Sequence, residues 1–335
     1  MEKILKAKRR FFRKEKNIFL DTVEEKLKEY GYEYQRKSFG KIIKSINLET
    51  KCDNPDFIFI AHYDTGTITH FWYNWLVKFF GHNVLLKIFS KIVSIIHISF
   101  LLPFAILLAM FLFVNFNFIF WVLCILIFSF FIPNKNNFDD NTSGVIALLL
   151  LAKKVKGNGV DNVKFIFVDN EEKGLFGSRA HRKYLEEEQL IFFNSKIIGI
   201  DCVGKDEIPL IVKYAKSRFA EHLQREIKNE FGTCTSVKTD LPHSDAFSFA
   251  DKYAALDISF VSKAVISSGY YIRKVHTSKD NEIDLNKIEK FTNALANVIK
   301  DRNAEKLKTA FSNVIKNNNL DELTNAIANA FKDKN

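Results

Sequence analysis

From Ile92 to Asn134 the chain runs for forty-three residues without a Lys, Arg, Asp or Glu. A bilayer core of about 30 Å takes roughly 20 apolar residues per helix, so the run is long enough for two passes. Asn115 and Asn117 interrupt it and suit a tight polar turn, which places transmembrane helices at about 92–114 and 116–133. Pro103 is positioned to kink the first leg and Pro133 to close the second. The second leg is short for a full span and calls for local thinning or a partly re-entrant path. A pair of buried helices in a water-soluble core is the competing reading, and a run this long without a polar face argues against it.

The flanks carry the marks of a water–lipid boundary. Phe71, Trp72, Tyr73, Trp75, Phe79 and Phe80 precede the run, and Lys78, Lys87, Lys91 and Lys135 bracket it. Aromatic side chains favour that boundary, and lysines favour its cytoplasmic side. A hairpin returns to the side it left, so both termini and the bulk of the chain are expected in the cytoplasm, on the cell (inner) membrane. Lys3, Lys6, Lys8, Arg9, Arg10, Arg13, Lys14 and Lys16 crowd the start of the chain, with no apolar stretch of a secretory signal. They suit either an anionic lipid surface or a solvated helix face.

The remainder is that of a large α/β protein. The 335 residues are 26% charged with a net charge of +10. Cys52, Cys124, Cys202 and Cys234 form no C-x-x-C pair, which argues against a cysteine zinc cluster and a disulfide framework. Ile18, Phe19, Val23, Leu27 and Tyr30 recur at helical spacing up to Gly31. Strands are expected at Ile42–Leu48, Asp56–Ala61, Asn162–Val168 and Lys196–Cys202. Helices are expected at Ser143–Val155, Gly177–Glu188, Ser217–Phe231 and Asn286–Lys300. Their alternation predicts an α/β fold, a mixed central sheet flanked by helices, with the two-helix membrane hairpin inserted. The segments ANVIK from Ala296, SNVIK from Ser312 and ANAFK from Ala328 recur at equal intervals. They predict three short consecutive helices, the last capped by Asn319 and Glu322. The chain therefore divides into a basic helical segment (1–34), an α/β domain (35–70 and 136–300), a membrane insertion (71–135) and helical repeats (301–335).

Acidic and histidine residues collect at the expected strand ends. His62 and Asp64 follow an apolar strand, as for a metal-ligating imidazole oriented by a carboxylate. Asp140 opens a helix in DDNTSG, where a simple N-cap serves equally well. Glu171 and Glu172 follow another apolar strand, and adjacent carboxylates there call for a cation or a shared proton. Asp201 ends a third strand, and His276 lies in a loop before the C-terminal helix.

In order and local context these clusters resemble the zinc aminopeptidases of metallopeptidase family twenty-eight. The resemblance covers roughly residues 35–80 and 136–300 and implies a di-zinc exopeptidase fold. It implies that His62, Asp140, Glu172, Asp201 and His276 hold two Zn²⁺ ions. Asp140 would bridge the pair, with His62 and Asp201 completing one site and Glu172 and His276 the other. It further implies that Glu171 is the general base, with Asp64 behind His62.

Two departures stand out. Family members usually carry a histidine where this chain has Ala246 in Ser244-Asp245-Ala246, while His243 sits three positions earlier. His243 and Asp245 are accordingly the candidate substrate-binding residues. His62 and Asp140 are also far apart in sequence, so the hairpin lies within the connection between two ligands and would hold the catalytic mouth near the bilayer.

The expected function is a membrane-anchored di-zinc aminopeptidase acting on peptides. Carboxypeptidases, glutaminyl cyclases and a non-catalytic membrane scaffold of the same fold are the alternatives. The cyclases of the family work with one zinc, and five ligand types argue against that outcome. An intramembrane protease would need ligands inside the apolar run, which offers only His97. No nucleic-acid partner is expected, since no base-reading module accompanies the positive charge.

Overall fold

The computed structural model describes residues 1–41, 43–53, 55–69, 71–81, 84–85, 132–215 and 218–317, without the side chains of 71–73 and 303–317. The two expected membrane legs, apart from Ile132 and Pro133, and the third repeat lie outside the described residues. Among the described residues no helix is long and apolar enough to cross a membrane.

Strands β1 (Tyr34–Phe39), β2 (Ser45–Thr50), β3 (Phe57–His62), β4 (Val163–Val168), β5 (Lys196–Ile200), β6 (Ile208–Lys213), β7 (Thr235–Lys238) and β8 (Ala254–Lys263) form one mixed sheet. Their order is β1-β2-β4-β3-β5-β8-β6-β7, with β9 (Tyr270–Tyr271) paired to β8 outside that path. β4, β3, β5 and β8 run parallel to one another, and β2 and β6 join this block antiparallel. The expected mixed sheet flanked by helices is what the chain forms.

Strand alternation decides which helices cover which face. Phe57, Phe59 and Ala61 of β3 and Phe165 and Phe167 of β4 point to one side. There they meet α2 (Arg13–Glu29), α4 (Gly144–Gly157), α6 (Arg218–Phe231) and α7 (Leu285–Asn317). Ile58, Ile60, Ile166 and Val168 point to the other side, against Leu185 of α5 (Phe176–Glu187) and Ala246 and Phe249 of a 3₁₀ turn (Asp245–Phe249). Both faces of the parallel block are therefore covered, as an apolar parallel sheet requires.

Several boundaries differ from expectation. The strand expected at Ile42–Leu48 is Ser45–Thr50, because Gly40 at φ +79° turns the chain and Ile43 is exposed. The strand expected through Lys196–Cys202 ends at Ile200, although Asp201 N–H still donates to Ile258 O of β8 at 3.0 Å. α7 runs unbroken from Leu285 to Asn317 through the first two repeats, correcting the separate short helices expected there. No Pro or Gly punctuates Asp301–Asn317, so nothing in that stretch ends the helix.

The chain ahead of β1 shares the main core. Ile4 of α1 (Glu2–Lys6) and Phe19, Leu20, Val23 and Leu27 of α2 are fully buried. Of the basic residues expected on a lipid or solvent face, Arg10 and Lys16 are buried in the protein instead.

The insertion leaves through α3 (Phe71–Phe80) and returns at Ile132. Its two ends are stitched together. Ile68 N–H donates to Ile132 O at 3.0 Å, Asn134 N–H donates to Gly66 O at 3.0 Å, and Thr67 pairs with Pro133 as an antiparallel bridge.

Candidate metal centre and cavity

The carboxyl ends of β3, β4 and β5 deliver His62, the Asp169–Glu172 loop and Asp201 to one edge of the sheet. Sites of open α/β sheets form at this edge. Asp140 arrives from a tight turn (Phe138–Ser143) that opens α4, and His276 from the loop after β9. The Asp140–Asn141 peptide is cis.

These five side chains meet as two groups that share Asp140. In one, His62 Nε2 lies 3.3 Å from Asp140 Oδ1 and 3.5 Å from Asp201 Oδ1. In the other, His276 Nε2 lies 3.3 Å from Asp140 Oδ2 and 3.5 Å from Glu172 Oε2. Asp140 thus turns one oxygen to each group. Ligand atoms held about 2.0–2.1 Å from a tetrahedral zinc ion are about 3.4 Å apart, so both groups have the spacing such an ion requires.

Polar satisfaction makes the same point. Both ring nitrogens of His62 and Oε1 of Glu172 are buried without a hydrogen-bond partner. Buried polar groups are rarely left so, and a metal is one of the agents that satisfies them. Burial opposes charge on His62, yet Glu171, Asp140, Asp201 and Asp64 outweigh it and hold the imidazole pKa well above its ordinary value. A divalent cation would neutralise the same surplus of carboxylate and leave the ring neutral to ligate. Burial would raise the Asp201 carboxyl, but His62 outweighs it and holds the group at about 2. Gly66 makes room here, because a Cβ on it would sit 2.5 Å from Glu172 Oε1. The donor set and its spacing therefore fit zinc.

Glu171 lies beside its neighbour but faces elsewhere. It borders a cavity of about 280 Å³ together with Asp140, Asp201 and His276. Burial drives its carboxyl well above the ordinary range, and Glu172, Asp245 and Asp201 add to the rise. Its backbone N–H donates to Asp64 Oδ1 at 3.0 Å, and Asp64 also lies 3.6 Å from His62 Nδ1. Asp64 thus stands behind both His62 and Glu171. The far wall of the cavity is apolar, with Val77, Leu210, Val212, Val261 and Ile272 among its residues.

The two candidate substrate residues part company. His243 lines the cavity, its Nε2 2.9 Å from Ser259 Oγ. Asp245 does not line it; it is fully buried, and both carboxylate oxygens lack hydrogen-bond partners. It sits at the start of the 3₁₀ turn, close enough to Glu171 to raise that carboxyl.

Residues not expected at the site also hold it. Arg10 donates from Nε to Tyr63 O at 2.5 Å and from Nη1 to Thr142 Oγ1 at 2.9 Å, which ties together the loops of His62 and Asp140. Burial lowers its pKa to about 10 against the pull of Asp64, Asp140 and Asp280, so it stays charged at neutral pH. Lys16 Nζ reaches Asp169 Oδ1 at 2.5 Å and Asn170 Oδ1 at 3.0 Å, just before Glu171. Asp280 accepts the backbone N–H groups of Asp139 and Asp140 at 3.0 and 3.1 Å and fixes the turn that presents Asp140. Lys16 carries a signal in the sequence, a lone cation on the apolar stripe of Leu20, Val23 and Leu27. Arg10 lies outside any periodic segment and carries none.

Residues 132–299, half of the chain, match the sequence profile of peptidase family M28. No curated protein matches the chain. Among solved structures, a leucine aminopeptidase precursor from Bacteroides thetaiotaomicron superposes with a TM-score of 0.57 at 16% identity, over 89% of this chain and 93% of that one. A Zn-dependent exopeptidase from Parabacteroides distasonis gives 0.57 at 14%, over 88% and 94%. A glutaminyl cyclase from B. thetaiotaomicron, solved with N-acetylhistamine, gives 0.57 at 15%, over 89% and 94%. At these identities the likeness is one of fold.

Proposed function

The chain belongs to peptidase family M28, and from that premise we propose that it is a membrane-anchored di-zinc exopeptidase that removes N-terminal residues from peptides. The observation that carries the proposal is the pair of ligand groups sharing Asp140 at the rim of a cavity that Glu171 borders. His62, Asp140 and Asp201 would hold one zinc ion, and Asp140, Glu172 and His276 the other. Bound there, zinc would supply a Lewis acid for the scissile carbonyl and an acidified water.

The protein's own groups do the rest. Glu171 takes a proton from the attacking water and hands it to the nitrogen of the departing amine as the C–N bond breaks. Asp64 fixes the orientation of His62. His243 offers a donor within the cavity, and the apolar wall takes the substrate side chain and keeps water out. The apolar run of residues 92–134 anchors the enzyme in the cell membrane with the catalytic domain in the cytoplasm.

Detergent-solubilised protein assayed on a panel of amino-acid anilides tests this. About two zinc ions per chain are expected, with activity lost to a chelator. Glu171→Gln should retain the metal and lower kcat by roughly 10²–10⁴-fold. Full activity in Glu171→Gln, or zinc bound as tightly by Asp140→Asn, would sink the proposal. The cyclase neighbour shares the fold, so an N-terminal glutaminyl peptide belongs on the panel. Ammonia release without amino-acid release would replace peptide hydrolysis by cyclisation.

A further inference from the structure

The cavity is walled in part by two elements whose outer sides carry exposed apolar residues. α3 contributes Asn74 and Val77 to the wall, while Trp75 between them is 54% exposed. Its ring lies 4.5 Å from that of Phe79. The β8–β9 hairpin contributes Tyr270 and Tyr271 to the same wall. Its turn projects Val265 and Ile266, which are 59% and 65% exposed.

The two elements are bound to each other. Val265 N–H donates to Lys78 O at 3.1 Å, Ile266 N–H to Phe79 O at 2.9 Å, and Ser267 Oγ to Phe80 O at 2.5 Å. Gly81 approaches so closely that a Cβ on it would lie 2.6 Å from Gly269 Cα. The turn is thus pinned at the end of α3 with its aliphatic pair facing outward. Val265 and Ile266 belong to the peptidase fold and Trp75 to the insertion, and the bonds to Lys78 and Phe79 hold these exposed apolar residues on two adjoining elements. Such a surface needs a partner.

The sequence and the neck of the insertion identify the partner. α3 precedes the uncharged run from Ile92, with residues 81–91 between them in sequence. The far end of that run returns beside residues 66–68, just ahead of α3, where Ile68 and Ile132 are 37% and 51% exposed. Lys78, Lys135 and Lys263 are exposed on these same segments. Tryptophan, aliphatic side chains and lysines together suit the boundary of an anionic bilayer.

We propose that α3 and the β8–β9 turn form a lipid-contacting rim beside the cavity, with Val265 and Ile266 entering the acyl region. The substrates are then polypeptides whose free N-termini are presented from that bilayer, such as membrane-spanning chains or chains acylated on a side chain. The rim stands on geometry and sequence alone; the substrate class rests on the aminopeptidase reading.

Both parts are tested on the full chain reconstituted into phosphatidylcholine–phosphatidylglycerol vesicles. Ile266→Trp adds emission over the wild type, and lipids brominated on their acyl chains should quench more than half of it. The control is Phe193→Trp, at a position 80% exposed before the amino end of β5 and so away from the site, whose added emission should persist. Unquenched emission from position 266 overturns the rim. For the substrate, the double variant Val265→Asp/Ile266→Asp should cut a peptide with a free N-terminus and an acyl chain on a side chain, in the same vesicles, about tenfold more slowly than wild type. Turnover of a soluble amino-acid anilide should stay within twofold. Equal losses on both substrates, or none on either, overturn the substrate class. A wild-type protein that cleaves neither refutes the aminopeptidase reading and the substrate class with it, and leaves the quenching to decide the rim.

Discussion

Arg10 and Lys16 reach from the first turns of the chain to the loops that carry the candidate ligands. A buried guanidinium left without its partners is costly, and so are loops left without the guanidinium. Arg10→Met should therefore weaken zinc binding by about 10–100-fold, the loss typical when a group behind a metal ligand is removed. Titration against a competing chelator reads this. Arg10→Lys should recover only part, because an ammonium cannot donate to Tyr63 O and Thr142 Oγ1 in the fork geometry of a guanidinium. A fully buried carboxylate makes a separate test. Burial would raise Glu49, but the bond to His181 Nε2 at 3.0 Å, with Lys164 and Gln35, outweighs it and holds the group at about 2. Its folded pKa lies below its unfolded one. The stability it contributes is thus complete above about pH 4.5 and lost as the pH falls towards 2. Denaturant unfolding of metal-free protein should show a slope in that window that is shallower in Glu49→Gln.

At the scale of elements, α7 carries much of the main core. Phe291 is fully buried, with its ring 5.5 Å from that of Phe260 on β8. Phe291→Ala should cost about 3–5 kcal/mol, seen as a lower denaturation midpoint. An unchanged midpoint would mean that α7 is peripheral. Helices with a clear apolar stripe were legible in the sequence, as were the three strands of nearly pure apolar composition, β3, β4 and β5. The acidic groups and His62 at the ends of those strands were legible with them. β1 was not, because YQRKSF has too little apolar contrast to separate an edge strand from a loop. β8 was hidden by Asp257, a buried carboxylate inside an otherwise apolar strand that caps the backbone N–H groups of Ser244 and Ala246. Arg10 at the site was invisible for a related reason: a basic residue in a basic segment reads as surface until tertiary packing removes it from water.

For the whole molecule, metal and fold should be coupled. A ligand at about a thousand times its Kd adds about 4 kcal/mol to stability. Chelation should accordingly lower Tm by on the order of 10 °C, and added zinc should restore it. Calorimetry with and without chelator reads this, and an unchanged Tm would count against a resident metal. In cell fractions the chain should sediment with membranes and resist extraction by high salt, which releases proteins held only by surface charge.

The stitched neck at residues 66–68 and 132–134 has a further consequence, for the newborn chain. His62 leaves the ribosome well ahead of Asp140, and the uncharged stretch emerges between them. At about 5–20 residues per second several seconds separate the two. Until the later portion arrives, the nascent polypeptide holds neither the shared aspartate nor His276. On the proposed function each copy is thus synthesised inert and gains its hydrolytic centre only after the greasy intervening stretch has been translated.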